Sequence, residues 1–228
     1  MINEVIIPGL LLGLSWFVES IGYLFRLIGS HQGKLSLGYT RHVQLATMTR
    51  FGSFVALPML ALGVDKEFPM NVLLFTPLIA FSVIVVGLVP VLLRRRLVFN
   101  YLSFIFNVVG RKQESLSNSS KHNLDIYSFD IKLVLASLGS YIITSNAFFV
   151  SVMYASVYPD FRASILQMTP ALSFIGTLVA VFYLDTRISN SLDNKENETS
   201  AVYSVIAGRL FSALVCSVLY GLVILILE

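Results

Sequence analysis

Glu19, Tyr23 and Arg26 stand four and three residues apart in an otherwise apolar run, SWFVESIGYLFRLIGS at 15–30. Spacings of three and four place residues on one face of a helix. Ser15, Glu19, Gly22, Tyr23 and Arg26 therefore form one stripe with apolar flanks. Two further arginines, Arg50 and Arg209, interrupt other apolar runs. A guanidinium presents a rigid fork of donors that fits two oxygens of a phosphate. Three such forks among apolar residues suit an anionic, amphipathic ligand, such as a lipid with a phosphate or diphosphate head. The competing reading is structural. Glu19 pairs with one of the arginines to hold the bundle, and an arginine near a helix end reaches up to the headgroups.

The elements that carry these residues are membrane helices. The chain is 56% hydrophobic and 13% charged, against about 25% charged residues in an ordinary soluble domain. A membrane-spanning helix needs about 20 mostly apolar residues. Six stretches qualify, at 5–28, 42–63, 70–93, 131–157, 163–184 and 202–227. The expected fold is an all-α integral membrane protein, a single polytopic domain over residues 1–228 with a bundle of about six transmembrane helices. The N-terminus has an acid, Glu4, and no basic lead, so it reads as a retained first span. Cys216, the one cysteine, lies in an apolar run and reads as a buried core residue. Gly9 and Gly13 form a GxxxG, a signal of close helix approach. Prolines 58, 77, 90 and 170 are candidate kinks.

VDKEFP and YPDFR form tight turns, with Pro69 opening the third span as an N1 proline. SHQGKLSLGYTR and ISNSLDNKENETS read as longer polar connections. Between the third and fourth spans, LVFNYLSFIFNVV is too short to cross. Arg96, Asn100, Ser103, Asn107 and Arg111 follow spacings of four, three, four and four, which gives one polar face. An amphipathic helix lying in the membrane interface is expected there; the alternative is a continuation of the third helix.

Lysine and arginine set the orientation. Lys34, Arg41, Arg94, Arg95, Arg96, Arg111, Lys112, Lys121, Arg187 and Lys195 fall on one side of a six-span chain. Lys66 and Arg162 fall on the other. The basic side, including the interfacial helix, is expected in the cytoplasm and both termini outside it. Arg26, Arg50 and Arg209 then lie toward the cytoplasmic side. Arg50 and Arg209 sit about 10 Å past their helix starts, and Glu19 about 10 Å deeper than Arg26, at about 1.5 Å per residue. A charge at mid-bilayer costs about 2.5–3.5 kcal/mol, so such groups face protein or water. Ser137, Ser140, Thr144 and Ser151 on the fourth span, and Gln167, Pro170, Ser173 and Thr177 on the fifth, add polar stripes consistent with a wet interior.

Other chemistry finds little support. GSHQGKLS at 29–36 has the wrong glycine spacing for a phosphate loop and follows a membrane helix. His31, His42 and His122 lie in or near loops with no metal-ligand spacing. No paired carboxylate motif marks a metal-dependent prenyl-phosphate enzyme. The expectation is a protein that is not an enzyme, with no cofactor, no metal site and no nucleic-acid partner. Asp160 and Asp185 close helices and read as solvated ends.

Several blocks resemble a known family. ESIGYLFRLIG, KLSLGYTRHVQLATMTRFGSFVALPMLALGVD, VMYASVYPDFRASILQMTPALSFIGTLVAVFYLD and IAGRLFSALVCSVLY occur in the order found in the Amj family of bacterial lipid II flippases, and together touch about half the chain. Glu19, Tyr23, Arg26, Arg50 and Arg209 fall on matching positions. Where the family has proline after the acid of the fifth helix, Thr186 follows Asp185 here. The resemblance implies movement of undecaprenyl-diphosphate-linked peptidoglycan precursor, lipid II, from the inner to the outer leaflet of the bacterial cytoplasmic (inner) membrane. Substrate-binding residues would be Arg26, Arg50, Arg209, Glu19, Arg162 and Asp185, with Arg162 at the exit side. Partners would be the lipid-linked glycan, membrane lipids and other cell-envelope synthesis proteins. An O-antigen or capsule precursor is the alternative cargo. A non-transporting scaffold of cell-wall synthesis is the alternative role.

Overall fold

The computed structural model describes residues 3–109 and 129–227. In chain order the helices are α1 (Asn3–His31), α2 (Leu35–Asp65), α3 (Met70–Leu93), α4 (Arg95–Val109) and α5 (Ile131–Val157). A composite fifth span follows. It comprises a single 3-10 turn (Pro159–Phe161), α6 (Arg162–Gln167), α7 (Thr169–Val179), a π-helical turn (Ala180–Asp185) and α8 (Thr186–Asp193). The chain closes with α9 (Glu198–Leu227). Six of these segments are long and apolar enough to cross a membrane: α1, α2, α3, α5, the composite span and α9. The protein is an all-α membrane bundle.

Two connections are shorter than expected. α1 runs to His31 and α2 starts at Leu35, so most of the presumed loop 30–41 is helix. Gly33, at φ +66°, makes the turn, and Gly29 and Gly38 let the two backbones approach. The polar stretch 188–200 is also mostly helical. Ile188 and Leu192 are buried and anchor α8, and Lys195 and Asn197 take left-handed backbone angles to reverse the chain into α9. The π turn runs directly into α8 at Thr186, so Asp185 is not a helix end. Pro58, Pro77 and Pro90 lie inside continuous helices. Pro170 instead occupies the first turn of α7, where its missing N–H costs nothing. Pro69 is the N-cap of α3, one residue earlier than expected.

α1, α3, α5 and α9 form the centre, where Leu12, Leu24, Leu27, Phe81, Ile84, Leu88 and Tyr203 are fully buried. α2 leans on α1 and the composite span leans on α5, each with its outer sides uncovered. Lipid is as apolar as leucine, so helices in a membrane gain more from close approach and hydrogen bonds than from burying apolar surface. The hydroxyl stripe of α5 serves that end instead of wetting a cavity. Ser137 donates to the Val205 carbonyl of α9 (2.8 Å) and Ser140 to the Gly176 carbonyl of α7 (2.7 Å). Thr144 and Ser151 bond back within their own helix. Cys216 is buried, and Asn146 ties it to Tyr220.

The GxxxG of α1 packs on α3. A Cβ on Gly13 would lie 2.7 Å from both the Ala80 carbonyl oxygen and Val83 Cβ. Gly13→Ala is therefore expected to force α1 and α3 apart at an overpacking cost of about 1–3 kcal/mol. Gly139→Ala, whose Cβ meets nothing within 4 Å, is the control. The thermal aggregation midpoint of solubilised protein should fall for the first and hold for the second.

One end of the bundle gathers Lys34, Arg41, Arg94, Arg95, Arg96, Arg187 and Lys195. Contacts such as Ser30–Glu198 and Asp130–Ser204 close it. Lys66 pairs with Glu4 and Arg162 with Asp65 at the other end. Arg111, Lys112, Lys121 and His122 lie outside the described residues. α4 sits at the basic end and is not a continuation of α3: the backbone breaks at Arg94 and α4 packs on α1. It has three faces. Phe99, Leu102 and Phe106 are buried, with Phe106 against Phe25. Arg96, Asn100, Ser103 and Asn107 form the polar face. Leu97, Tyr101, Phe104 and Val108 form an exposed apolar face. A helix with protein on one side, apolar surface on a second and polar groups on a third belongs at a membrane interface.

Candidate functional site

The α1 stripe meets its partners inside the bundle. α9 brings Arg209, whose Nη2 donates to Glu19 Oε1 at 2.9 Å and whose Nη1 donates to Ser20 Oγ at 3.1 Å. Tyr23 and Tyr141 place their rings over this guanidinium, at 5.0 and 5.1 Å to the centroids. Cation–π contacts of that kind, away from water, hold a charge that lipid would reject. The π turn brings Asp185 to Arg26, with Nη1 to Oδ1 at 2.7 Å, and α8 adds Ser189 Oγ at 2.6 Å from Nη2. Tyr39 of α2 lies over the same guanidinium at 5.3 Å.

The two ion pairs share an asymmetry. The side chains of Arg26 and Arg209 are 3% and 6% exposed; those of Asp185 and Glu19 are 31% and 33% exposed. The cations are buried and the carboxylates cover them from the open side. Each carboxylate engages its arginine through one oxygen. A phosphate, which can take both prongs of a guanidinium, is equipped to displace it.

His42 lies between the pairs. It is buried against Tyr23, with ring centroids 4.4 Å apart, and its Nδ1 meets the geometry of a hydrogen bond with no partner among the described residues. It is part of the bundle interior, not a loop residue, because α2 begins seven residues earlier than the hydropathy indicated.

Arg50 stands apart from this cluster. It is the midpoint of the 31-residue α2, with fifteen residues on either side, and not a group near the basic end. It is exposed and forms no ion pair or hydrogen bond among the described residues. Tyr39, Val43, Ala46 and Arg50 follow spacings of four, three and four, so Arg50 shares its face with Tyr39. That face looks toward the composite span. Tyr39 and Ser189 line one pocket at the basic end, and Asp65 of α2 meets Arg162 of α6 at the other, at 3.3 Å. Between those two contacts α2 and α7 do not pack against each other to any extent. We read the gap between those two contacts as a lateral cleft, bridged at both ends. Thr177, Val181 and Asp185 follow at four-residue steps, so the exposed polar stripe of α6 and α7 lies on the Asp185 side of the rod. Gln167, Pro170 and Thr177 are exposed on it.

Of the six residues expected to bind a ligand, the fold brings together Glu19 with Arg209 and Asp185 with Arg26. It places Arg50 alone along the cleft and Arg162 at the far end. Tyr39, His42, Tyr141 and Ser189 complete the site and were not foreseen. Only the Tyr39–Arg50 spacing and the four residues from Asp185 to Ser189 hint at them in the sequence. Among the described residues no group of three or more His, Cys, Asp or Glu is placed to hold a metal. Comparison of the chain with protein-family models, with curated proteins and with solved structures found no match.

Proposed function

We propose that this protein is a flippase for undecaprenyl-diphosphate-linked glycans that carries lipid II from the inner to the outer leaflet of the bacterial cytoplasmic membrane. In this arrangement the basic end faces the cytoplasm and both termini lie outside it. The observation that carries the proposal is Arg50: an exposed arginine, unpaired among the described residues, halfway along a membrane-length helix. A charge at that depth is disfavoured by about 2.5–3.5 kcal/mol unless it meets water or a counter-ion. A cleft that admits a phosphate-bearing lipid head supplies both.

The sequence of events follows from the charges. The head group enters from the basic end, and its diphosphate takes the place of Asp185 on Arg26. Arg50 holds the diphosphate midway, where no carboxylate of the described residues competes. Glu19 keeps Arg209 neutralised while the cleft is empty and yields it when an anion arrives. The prenyl tail stays in lipid, because the cleft is open sideways between α2 and α7. Asp65–Arg162 closes the outer end and must part for release. No bond in the cargo is made or broken.

The test is replacement. The gene is expressed in bacteria whose own lipid II flippases are shut off, and lipid II reachable by an externally added cleaving agent is measured. Restored growth with outer-leaflet lipid II is the expected result. A membrane-inserted protein that restores neither excludes lipid II as cargo. Surface glycan in a strain lacking its O-antigen or capsule flippase is then the next measurement.

A further inference from the structure

A cavity of about 240 Å³ opens at the basic end between the first turns of α2 and the last turns of α8, lined by Arg26, Leu35, Ser36, Tyr39, Ser189, Leu192 and Asp193. Its chemistry is divided. At the base Arg26, 2% exposed, holds a guanidinium that Asp185 covers until an anion displaces it. Beside it Ser189 Oγ accepts from Nη2 at 2.6 Å, and toward the rim stand the exposed hydroxyl of Ser36 and the exposed carboxylate of Asp193. Tyr39 forms part of the wall. Arg26 lies over its ring, yet the residue is still 52% exposed, which leaves aromatic surface for a ligand.

A phosphate suits only the base, since an ionised carboxylate accepts hydrogen bonds and cannot donate them. Asp193 repels a phosphate at the rim and accepts from neutral hydroxyls instead. An aromatic surface, hydroxyl donors and acceptors, and a carboxylate acceptor are the groups that recognise a sugar ring: C–H faces against the tyrosine, O–H groups to the polar atoms. The cavity is smaller than the roughly 300–1,000 Å³ that encloses a drug-sized ligand, so it takes one sugar and no more. We propose that this pocket is a saccharide subsite, seating the sugar directly attached to the phosphate that Arg26 binds. The proposal rests on the lipid-linked glycan reading and deepens it: the protein reads the first sugar and not the diphosphate alone.

The test is a comparison of two probes on the full chain in lipid nanodiscs: farnesyl diphosphate, and the same compound bearing one N-acetylhexosamine on its terminal phosphate. The sugar-bearing probe is expected to bind about tenfold tighter, the yield of one or two added hydrogen bonds with ring contact. Tyr39→Ala and Asp193→Ala should each bring the ratio of the two affinities to within about twofold, and Tyr39→Phe should keep it. Tyr39 and Asp193 are exposed, and unchanged melting midpoints verify that the variants are folded. Equal binding of both probes by the unaltered protein, or a ratio that survives both alanine variants, overturns the saccharide subsite alone. Binding of neither probe overturns the subsite together with the lipid-linked glycan reading.

Discussion

If the protein carries the proposed cargo, Arg50→Leu is expected to lower outer-leaflet delivery of that lipid by about 100-fold or more while the protein is made, inserted and folded as before. The size follows from the bond type: two charge-assisted hydrogen bonds to a diphosphate are each worth about 1.5–3 kcal/mol. The intact fold follows from geometry. Arg50 is exposed and touches no partner among the described residues, so its removal leaves neither a cavity nor an orphaned group. Leucine also relieves the cost of a charge at mid-helix, so the melting midpoint should hold or rise. Arg50→Lys retains charge without the planar fork, and should fall between leucine and the native residue. The checks are the external-cleavage assay for lipid II and a melting curve on the same preparations. A scaffold would tolerate all three side chains. Full transport by Arg50→Leu would remove Arg50 from the mechanism and leave its position without an account.

The second large effect concerns Glu19 and Arg209, and it is asymmetric. Glu19→Ala strands a guanidinium whose side chain is 6% exposed. Removing one partner of a buried pair costs about 3–5 kcal/mol. The low end applies here, because Ser20, Tyr23 and Tyr141 still hold the cation. Arg209→Ala strands a carboxylate that is already one-third exposed and can take up water, so it costs less. Replacing both, with Glu19→Leu and Arg209→Met, removes the charge problem and should return the melting midpoint close to that of the native protein. Transport should be lost in all three variants. Melting order and transport together separate the two roles of the pair: a merely structural pair would let the double variant work. A Glu19→Ala protein that melts like the native one would show that the pair does not hold the bundle.

The same geometry explains how much was legible beforehand. Six spans follow from length and composition, because a bilayer sets how many apolar residues a helix must string together. The gathering of arginines and lysines at one end follows from where those spans begin and end. The polar stripe of α4 and the inward stripe of α1 follow from the 3.6-residue period. Burial of Cys216 follows from its apolar neighbours. Each is a local property, readable within twenty or thirty residues.

Partners are not local. Glu19 and Arg209 are 190 residues apart, and Arg26 and Asp185 are 159 apart. Which carboxylate reaches which arginine depends on how each helix is rotated about its axis, and one residue of rotation is about 100°. Hydropathy is blind to that rotation. It likewise placed Arg50 near the basic end, because polar residues at 35–41 looked like loop although they continue α2 by a further two turns. It placed Asp185 at a helix end, because the charged stretch after it hid the buried Ile188 and Leu192 that keep the rod helical. The amino-acid sequence by itself determined that this is a six-span membrane protein with charges where lipid resists them. Only the tertiary structure decided that two of the three intramembrane arginines are covered by carboxylates and that the third, Arg50, has no counter-ion among the described residues, since counter-ions are assigned by helix rotation and crossing, not by order along the chain.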